Sequence, residues 1–298
     1  MANISVPPAC RVDISVAAQI TRGRAPLPPF LRWAGSKRRL LPDLLSKTPA
    51  TFSRYVEPFG GSLCFFFELR PAGAILSDFN QELIDTYLTV RAHPYLTSRL
   101  LQGLEAAGAD YYDVREEPIQ SLNAIERAAR FIFLNRHCFN GVYRTNAKGE
   151  FNVPKGTRVG SLPSTAHLNR CSIALRRASL YALDFEDTVD MTRKGDFLYL
   201  DPPYAKANSR VRGEYGKDSF GVKDLARLKT SLERADRRGV TFLLSYAKCD
   251  EIEPISEAWN TTEIVVSRQV AGFQRHRHKV SEVLISNARV SRTAAKQL

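Results

Sequence analysis

The segment that most constrains the fold is Phe197-Leu198-Tyr199-Leu200-Asp201-Pro202-Pro203-Tyr204. Its apolar first half predicts a buried strand, and its second half predicts a site at the carboxyl end of that strand, where open α/β sheets bind ligands. The two prolines make the turn stiff and offer carbonyl acceptors without backbone donors. A carboxylate and a carbonyl beneath an aromatic ring suit a flat ring with an exocyclic amine, such as adenine or cytosine. An ordinary strand-ending turn, or an exposed Pro-Pro-Tyr peptide ligand, would explain the same residues.

Apolar strand-like runs and helical periodicities alternate on both sides of this segment. The predicted strands are 54–59, 73–78, 180–183, 197–200, 240–246, 263–266 and 282–286. The predicted helices are 63–69, a helix that begins behind Asn80 as its N-cap, 124–134, and a helix with Leu225, Leu228, Leu232 and Ala235 on one face. The sequence therefore predicts an α/β fold with a doubly wound, mainly parallel sheet and helices on both faces.

The β-α alternation is interrupted in the middle of the chain. Residues 96–175 contain one helix-like stretch and a polar segment punctuated by glycines, so we expect an inserted, partly helical module there. The catalytic domain would then consist of residues 29–95 and 176–288. Proline-rich residues 1–28 are expected to form a flexible arm, and 289–298 a tail.

Composition restricts the classes of partner and compartment. The 298 residues carry 43 basic and 31 acidic side chains, a formal net charge of +12 that favours a polyanionic partner such as nucleic acid. The five cysteines are scattered without metal-ligand spacing, which predicts free thiols and no metal site. We find no signal peptide and no apolar run of about 20 residues for a membrane span, so we expect a cytoplasmic protein, by default a monomer.

A second potential ligand site follows the first predicted strand. Gly60 and Gly61 allow close backbone approach to a ligand, and Asp78 ends the next strand about 20 residues later, where a carboxylate can accept both ribose hydroxyls. Together these residues predict a cofactor that contains a nucleoside. Each feature alone would equally fit a strand-to-helix turn or a helix cap.

Four segments in order resemble the Dam-type DNA adenine methyltransferases, members of the alpha class of amino-methyltransferases. They are Phe30-Leu31-Arg32-Trp33-Ala34-Gly35-Ser36-Lys37, Glu57-Pro58-Phe59-Gly60-Gly61, the segment from Leu134-Asn135-Arg136 to Pro154, and Asp201-Pro202-Pro203-Tyr204. The resemblance covers residues 30–287. It implies a Rossmann-like methyltransferase sheet, S-adenosylmethionine as the methyl donor with S-adenosylhomocysteine as the product, and N6-methyladenine in double-stranded DNA.

The resemblance also assigns roles to individual residues. It implies a catalytic tetrapeptide of Asp201, Pro202, Pro203 and Tyr204. It implies donor contacts from Trp33, Ala34, Gly35, Lys37, Glu57, Pro58, Phe59, Gly60, Gly61, Asp78 and Asp201. The module is the sequence reader in this family, so DNA contacts are expected from Arg32, Arg136, Phe139, Asn140, Val142, Arg144, Asn152 and Pro154. Independently of the resemblance, the basic run Gln274–Lys279 fits either a solvated hairpin tip or a run along the phosphate backbone, in which case Arg275 and Arg277 would contact phosphates.

The implied chemistry requires geometry more than a strong base. If the Asp201 carboxylate and the Pro202 carbonyl each accept one N6 hydrogen, the nitrogen lone pair is aimed at the donated methyl group, while Tyr204 stacks on a base that has left the duplex. Arg144 would read guanine O6 and N7, Arg32 would read a second base, and Phe139 would fill the opened duplex. A GATC-like site is expected, and a cognate restriction endonuclease acting in trans is a candidate partner in a prokaryotic or phage setting.

Two departures from the family pattern leave other functions open. Leu63 stands where the family has a second glycine, and Val142 stands where well-known members have leucine. One alternative is a DNA-binding relative with weak catalysis because its loop no longer holds the donor. Another is methylation of cytosine N4, RNA or protein glutamine, although relatives of those kinds commonly carry Ser or Asn in place of Asp201.

Overall fold

The computed structural model describes residues 25–205, 220–267 and 279–288. Within these ranges the chain forms one seven-stranded sheet flanked by helices. The strands are β1 Tyr55–Glu57, β2 Ala74–Asp78, β3 Ala178–Ala182, β4 Phe197–Leu200, β5 Thr241–Ala247, β6 Asn260–Ser267 and β7 Lys279–Ser286. The helices are α1 Leu41–Lys47, α2 Cys64–Leu69, α3 Gln81–Ala92, α4 Pro94–Ala106, α5 Tyr111–Glu116, α6 Ala124–His137, α7 Thr165–Leu175, α8 Phe185–Asp190, α9 Val222–Arg237 and α10 Glu253–Ser256.

The strand order is β3-β2-β1-β4-β5-β7-β6. The pairs β1–β2, β2–β3, β1–β4 and β4–β5 are parallel, whereas β7 runs antiparallel to both β5 and β6. The predicted doubly wound, mainly parallel sheet is therefore confirmed. The order reverses between β1 and β4, so the carboxyl ends of these two strands form the crevice where such sheets bind ligands.

Alternation along the central strands divides the core into two layers. In β4, Phe197 and Tyr199 face the cluster that contains α2, α3, α6 and α7, while Leu198 and Leu200 face the cluster that contains α8, α9 and α10. Successive side chains of a strand point to opposite faces, so a strand covered on both faces must be apolar throughout. All four residues of β4 are buried, as that rule requires.

The segment predicted as an inserted module packs against the body of the protein. Helix α6 begins at a capping box of Asn123 and Glu126, which satisfies the first backbone N–H groups, and it continues to His137 beyond the predicted end. Its buried face, which includes Phe131 and Leu134, lies in the same hydrophobic cluster as β1 and α3. Helices α4, α5 and α7 complete this layer, and the sequence had not located them.

The ends of the described ranges bear on several sequence-based expectations. Leu27, placed in the arm by the sequence, is 4% exposed and packs in the core, and Arg170 donates a hydrogen bond to the Pro26 carbonyl at 2.8 Å. Residues 1–24, the tail 289–298 and the predicted phosphate contacts Arg275 and Arg277 lie outside the described residues.

No helix within the described ranges is both long and apolar enough to cross a membrane.

Candidate active site

Asp201 lies directly after β4, at the carboxyl edge of the sheet. The Asp201 Oδ1 atom is 2.6 Å from Lys37 Nζ and accepts a hydrogen bond from Ser245 Oγ at 3.2 Å. Ser245 comes from the adjacent parallel strand β5, and the Tyr199 hydroxyl lies 3.0 Å from its Oγ. Both contacts fall on one carboxylate oxygen, and Oδ2 takes no hydrogen bond from the described residues. The Asp201 side chain keeps 20% of its surface exposed.

Burial and neighbouring charge act in opposite directions on the pKa values of both members of this pair. Burial raises the pKa of Asp201, Lys37 lowers it, and the net pKa lies above its ordinary value. Burial lowers the pKa of Lys37, but the charges of Asp201, Tyr204 and Glu282 outweigh burial and hold that pKa above its ordinary value. Lys37 is therefore a permanent cation, and its charge limits the rise in the pKa of Asp201.

Tyr204 is a second neighbour of Lys37. Lys37 Nζ donates to the Tyr204 hydroxyl at 3.2 Å, and that hydroxyl donates to Glu282 Oε1 at 3.4 Å. The Tyr204 ring meets the Tyr246 ring edge-on, with centroids 5.1 Å apart. Glu282 is the first residue of β7 that pairs with β5. It is 1% exposed and adds a second carboxylate to the site.

The glycine loop after β1 is shaped by close contacts on both sides. Gly60 N–H donates to the Ser77 carbonyl at 2.8 Å, and a Cβ on Gly60 would lie 3.0 Å from that oxygen. Gly61 has a φ of +46°, and a Cβ there would lie 2.8 Å from Trp33 Cδ1. Both positions therefore require glycine. The sequence-predicted residues Trp33, Gly60 and Gly61 are brought together here.

Asp78 organises this loop from the end of β2. Its Oδ2 accepts from Gly61 N–H at 2.9 Å and its Oδ1 accepts from Asn80 N–H at 2.9 Å. Burial raises the pKa of Asp78, and these two backbone hydrogen bonds act against that rise. A carboxylate has about four lone-pair sites, so Asp78 retains acceptor capacity for a ribose hydroxyl.

Leu63, which stands at the family's second glycine position, has a left-handed backbone with φ of +54°. Its side chain is 1% exposed and packs in the core. Leucine is strained in this region of backbone space by roughly 1–2 kcal/mol, whereas glycine is not. The loop thus keeps a conformation that suits glycine, and burial of the leucine side chain offsets the strain.

The remaining predicted donor residues surround this loop. Glu57 is 3% exposed and accepts a hydrogen bond from the Tyr55 hydroxyl at 2.8 Å, and burial raises the pKa of Glu57 well above its usual range. The Pro58 carbonyl accepts from Ser77 Oγ at 3.4 Å. Phe59 stacks on Phe185, with centroids 5.3 Å apart. Gly35, in the predicted motif, has a φ of +83° and contributes its carbonyl to Lys37 Nζ at 3.3 Å.

Phe79 is a site residue that sequence reasoning missed. It follows Asp78 at the carboxyl edge of the sheet, and 67% of its surface is exposed. An exposed aromatic ring next to a carboxylate predicted to bind ribose offers a stacking surface for a nucleobase. The feature of the sequence that could have indicated Phe79 is its position directly after Asp78, the carboxylate that ends β2. Ser245 and Glu282 were also missed, although each is a polar residue within or at the start of a predicted strand.

The segment predicted to read DNA contacts the glycine loop through aromatic rings. Trp33 stacks on Tyr143 with centroids 6.0 Å apart and an angle of 17° between the rings. The Tyr143 hydroxyl donates to Glu82 Oε2 at 2.8 Å, and its ring contacts Phe151 at 5.7 Å. Phe151 pairs with Thr145 across the predicted hairpin. An unbroken set of contacts therefore joins Gly61 to the hairpin.

Two arginines predicted to contact DNA are folded against the protein backbone. Arg32 Nη1 donates to the carbonyls of Arg136 and Arg158 at 3.2 and 2.9 Å. Arg136 Nε donates to the Ser161 carbonyl at 2.8 Å. Asn135, which is 4% exposed, exchanges two hydrogen bonds with the Arg32 backbone. This exchange ties the end of α6 to the segment that carries Trp33.

The other predicted DNA contacts surround the base of the hairpin. Phe139 is 44% exposed, and its N–H donates to the Pro154 carbonyl at 2.9 Å. Asn140 is exposed and has a left-handed backbone with φ of +54°. Val142 is half-buried against the core. Arg144 and Asn152 bond to each other across the hairpin.

Comparison with known proteins decides the family. The family model described as "D12 class N6 adenine-specific DNA methyltransferase" matches residues 33–272, which is most of the chain. This chain belongs to that family. The D12 match begins at Trp33 and includes the glycine loop, the module and the Asp201 tetrapeptide, so the resemblance predicted from the motifs is confirmed.

Curated relatives of this D12 methyltransferase cover nearly the whole chain. A type II methyltransferase of Lactococcus lactis subsp. cremoris, M1.LlaDCHI, is 31% identical over 90% of this chain and 98% of its own length. A type II methyltransferase of Methanocaldococcus jannaschii, M.MjaIII, is 30% identical over 87% of this chain and 98% of its own length. A DNA adenine methylase of Salmonella typhi is 30% identical over 86% of this chain and 93% of its own length.

The family establishes the reaction. The protein is an enzyme that methylates the N6 amine of adenine in double-stranded DNA and uses S-adenosylmethionine as methyl donor. The described residues fit such a donor because an exposed aromatic ring, a ribose-type carboxylate and two glycines meet at the carboxyl edge beside Asp201. Within the described ranges, no group of three His, Cys, Asp or Glu side chains is placed to hold a metal ion.

Proposed function

We propose that Asp201, Pro202, Pro203 and Tyr204 form the catalytic site, and that it receives an adenine that has rotated out of the DNA duplex. The proposal rests on the contacts of the Asp201 carboxylate. Lys37 and Ser245 both contact its Oδ1 atom. This arrangement leaves Oδ2 as an acceptor for one N6 hydrogen. The Pro202 carbonyl accepts the other hydrogen.

These two acceptors act on the geometry of the nitrogen. The N6 lone pair is delocalised into the purine ring, so N6 is a weak nucleophile until its hydrogens are drawn out of the ring plane. S-adenosylmethionine supplies an activated methyl group when bound. Asp201 and Pro202 orient the lone pair, Asp201 stabilises the positive charge that develops on N6, and Tyr204 stacks on the base. Positioning and electrostatic stabilisation of this kind contribute several kcal/mol to catalysis.

The donor would lie along the glycine loop between Trp33 and Asp78. Asp78 would accept the ribose hydroxyls and Phe79 would stack on the donor's adenine. The segments Ala34-Gly35 and Glu57-Pro58-Phe59 would line the remaining surface, as the family resemblance implies. The positive charge of Lys37 opposes the rise in the pKa of Asp201 that burial causes, and the family resemblance implies that Lys37 also contacts the donor.

DNA would be read by the module. Arg144 offers two parallel N–H groups to guanine O6 and N7, and Phe139 is an exposed ring suited to the gap left by the rotated base. Arg32, Arg136, Asn140, Val142 and Pro154 would contact the duplex around them, and Arg275 and Arg277 would contact phosphates. The proposed target is a GATC-like site, and a monomer acting on chromosomal or phage DNA in the cytoplasm is the proposed working form. The type II methyltransferase relatives favour a cognate endonuclease as a partner in trans.

The proposal is tested by expressing the enzyme in cells that lack adenine methylation. Digested genomic DNA would be analysed by mass spectrometry for N6-methyladenine, and long-read sequencing would give the flanking bases. We expect N6-methyladenine within one short sequence, and none in cells that express Asp201→Ala. Methylation at wild-type level in the Asp201→Ala cells would overturn the catalytic assignment, and N4-methylcytosine as the product would overturn the adenine assignment.

A further inference from the structure

Arg144 and Asn152 face each other across the base of the hairpin and share three hydrogen bonds. Arg144 Nε donates to Asn152 Oδ1 at 2.8 Å, and Arg144 Nη2 donates to the Asn152 carbonyl at 3.1 Å. In the backbone, Asn152 N–H donates to the Arg144 carbonyl at 3.0 Å. The pairing of Thr145 with Phe151 lies directly next to this pair. The Arg144 side chain is therefore attached to the opposite strand of the hairpin by two of its nitrogens.

This arrangement fixes which edge of the guanidinium is presented. A guanidinium is a planar fork of five N–H groups. Asn152 occupies the side edge, which consists of Nε and one Nη2 hydrogen. The end edge, which consists of Nη1 and the second Nη2 hydrogen, lies on the side away from Asn152 in the same plane. This end edge carries two parallel donors with the spacing that guanine O6 and N7 accept.

An arginine side chain fixed by hydrogen bonds binds DNA with a smaller loss of entropy and greater base specificity than a flexible one. A free arginine side chain loses rotamer freedom on binding and can turn its donors to a phosphate or to the wrong base. Fixing the plane of the guanidinium before DNA binds removes part of that entropic loss. It also penalises a base that lacks the two matching acceptors, because the fork cannot easily rotate to another partner.

We propose that Asn152 is a positioning residue for sequence recognition: it holds Arg144 so that the end edge of the guanidinium reads one guanine. This inference rests on the proposed base-reading role of Arg144. The sequence predicts a direct DNA contact for Asn152, and the positioning role takes the place of that contact. The reason is that the side-chain oxygen and the backbone carbonyl of Asn152 both accept hydrogen bonds from Arg144. The two roles differ in what they change, since base readout changes discrimination and phosphate contact changes the salt dependence of affinity.

The test compares four variants with the wild-type enzyme: Asn152→Ala, Asn152→Asp, Arg144→Ala and the double variant Asn152→Ala/Arg144→Ala. Asn146→Ala is the matched control, because Asn146 lies in the same hairpin and bonds to Glu150 rather than to Arg144. After the wild-type recognition sequence has been mapped, kcat/KM is measured on duplexes with that sequence and with each guanine replaced in turn. The slope of DNA affinity against salt concentration is measured in parallel, and circular dichroism checks folding.

We expect Asn152→Ala to lower discrimination at one guanine by about 10-fold or more, within the range of a bidentate base contact, with an unchanged salt slope. Asn152→Asp keeps the acceptor for Nε and should retain discrimination within about threefold of wild type, even if its added charge weakens DNA binding. In the Arg144→Ala background, Asn152→Ala should cause no further loss. Asn146→Ala should leave discrimination unchanged.

Other outcomes separate the possible failures. A salt slope reduced by about one with full discrimination in Asn152→Ala would identify a phosphate contact and overturn the inference. The inference would also be overturned if Asn152→Asp lost as much discrimination between bases as Arg144→Ala does. This comparison can be made even if Asn152→Ala does not fold. Unchanged discrimination in Arg144→Ala would remove the base-reading role and the inference with it. Loss in Arg144→Ala without loss in Asn152→Ala would remove the inference alone.

Discussion

Lys37 Nζ lies 2.6 Å from Asp201 Oδ1, and the two side chains come from segments far apart in the sequence. Lys37 ends the Trp33 motif, which precedes the first strand, whereas Asp201 directly follows the fourth strand. The contact joins the proposed donor-binding motif to the proposed catalytic tetrapeptide. It also supplies the cation that opposes the effect of burial on the pKa of Asp201.

Lys37→Met should shift the pH dependence of catalysis. The pKa of Asp201 is already raised by burial, and removal of the cation would raise it further, so a smaller fraction of Asp201 would be ionised near neutral pH. We expect kcat to fall relative to the wild type, and the loss to shrink as the pH rises, because the carboxylate form of Asp201 returns at higher pH. The measurement is kcat against pH at saturating donor and DNA. A profile parallel to that of the wild type would contradict the proposed electrostatic role.

Ser245→Ala should weaken catalysis without changing substrate affinity. The variant removes the second hydrogen bond to Asp201 Oδ1 and leaves Lys37 in place. A hydrogen bond of this kind is worth about 1–1.5 kcal/mol, so kcat should fall by roughly 5- to 10-fold with KM for DNA nearly constant. Ser286→Ala, which removes a buried hydroxyl bonded to the Phe242 carbonyl, is the matched control. Equal losses of kcat in the two variants would indicate a general structural effect instead.

Tyr143→Leu should weaken donor binding although Tyr143 lies in the DNA-reading segment. Tyr143 supports Trp33, and Trp33 packs against Gly61 in the donor loop. The loss of an aromatic pair worth about 0.5–1.5 kcal/mol should raise the Kd for S-adenosylmethionine by roughly 2- to 10-fold. Tyr143→Phe keeps the ring and removes only the hydrogen bond to Glu82, so it should bind the donor more nearly like the wild type. Isothermal titration without DNA measures both, and equal affinities in the two variants would sink the idea.

Substitutions at Leu63 should reveal the backbone strain of the donor loop. Leu63→Ala removes buried surface but keeps a non-glycine residue at a φ of +54°. Leu63→Gly removes one more carbon and relieves the strain. We expect both variants to be less stable than wild type, with the glycine variant more stable than the alanine variant by about 1 kcal/mol. Urea denaturation gives the two free energies of unfolding, and an alanine variant at least as stable as the glycine variant would exclude strain at this position.

The sequence was sufficient to predict the central strands because most of their residues are apolar and buried on both faces. For β4 the predicted and observed bounds agree, and Asn80 caps α3 as expected from its amide side chain. Helices α4 and α7 were not predicted, although apolar residues recur along α4 at helical spacing as clearly as they do along α6. The family motifs identified the reaction, which spacing and composition alone had left open between adenine and cytosine.

Partners of the site residues could not be predicted in the same way. Nothing in the local sequence of Lys37 indicates that it pairs with Asp201, because that contact depends on how a segment before β1 crosses the sheet edge. The same limit applies to Arg32, whose guanidinium bonds to the carbonyls of Arg136 and Arg158. Asn152 was predicted as a DNA contact because of its motif, but its bond to Arg144 depends on hairpin register. Motifs therefore located the site, whereas its internal hydrogen bonds required the fold.

The central claim is that Asp201 prepares the adenine amine for methyl transfer, and Asp201→Asn tests it with the least change in shape. The decisive measurement is the single-turnover rate of transfer from labelled S-adenosylmethionine to a duplex with the mapped site, together with the Kd for the donor. We predict a rate at least about 100-fold below wild type, with donor affinity changed only a few-fold. A wild-type rate of transfer by the folded, donor-binding variant would contradict the account.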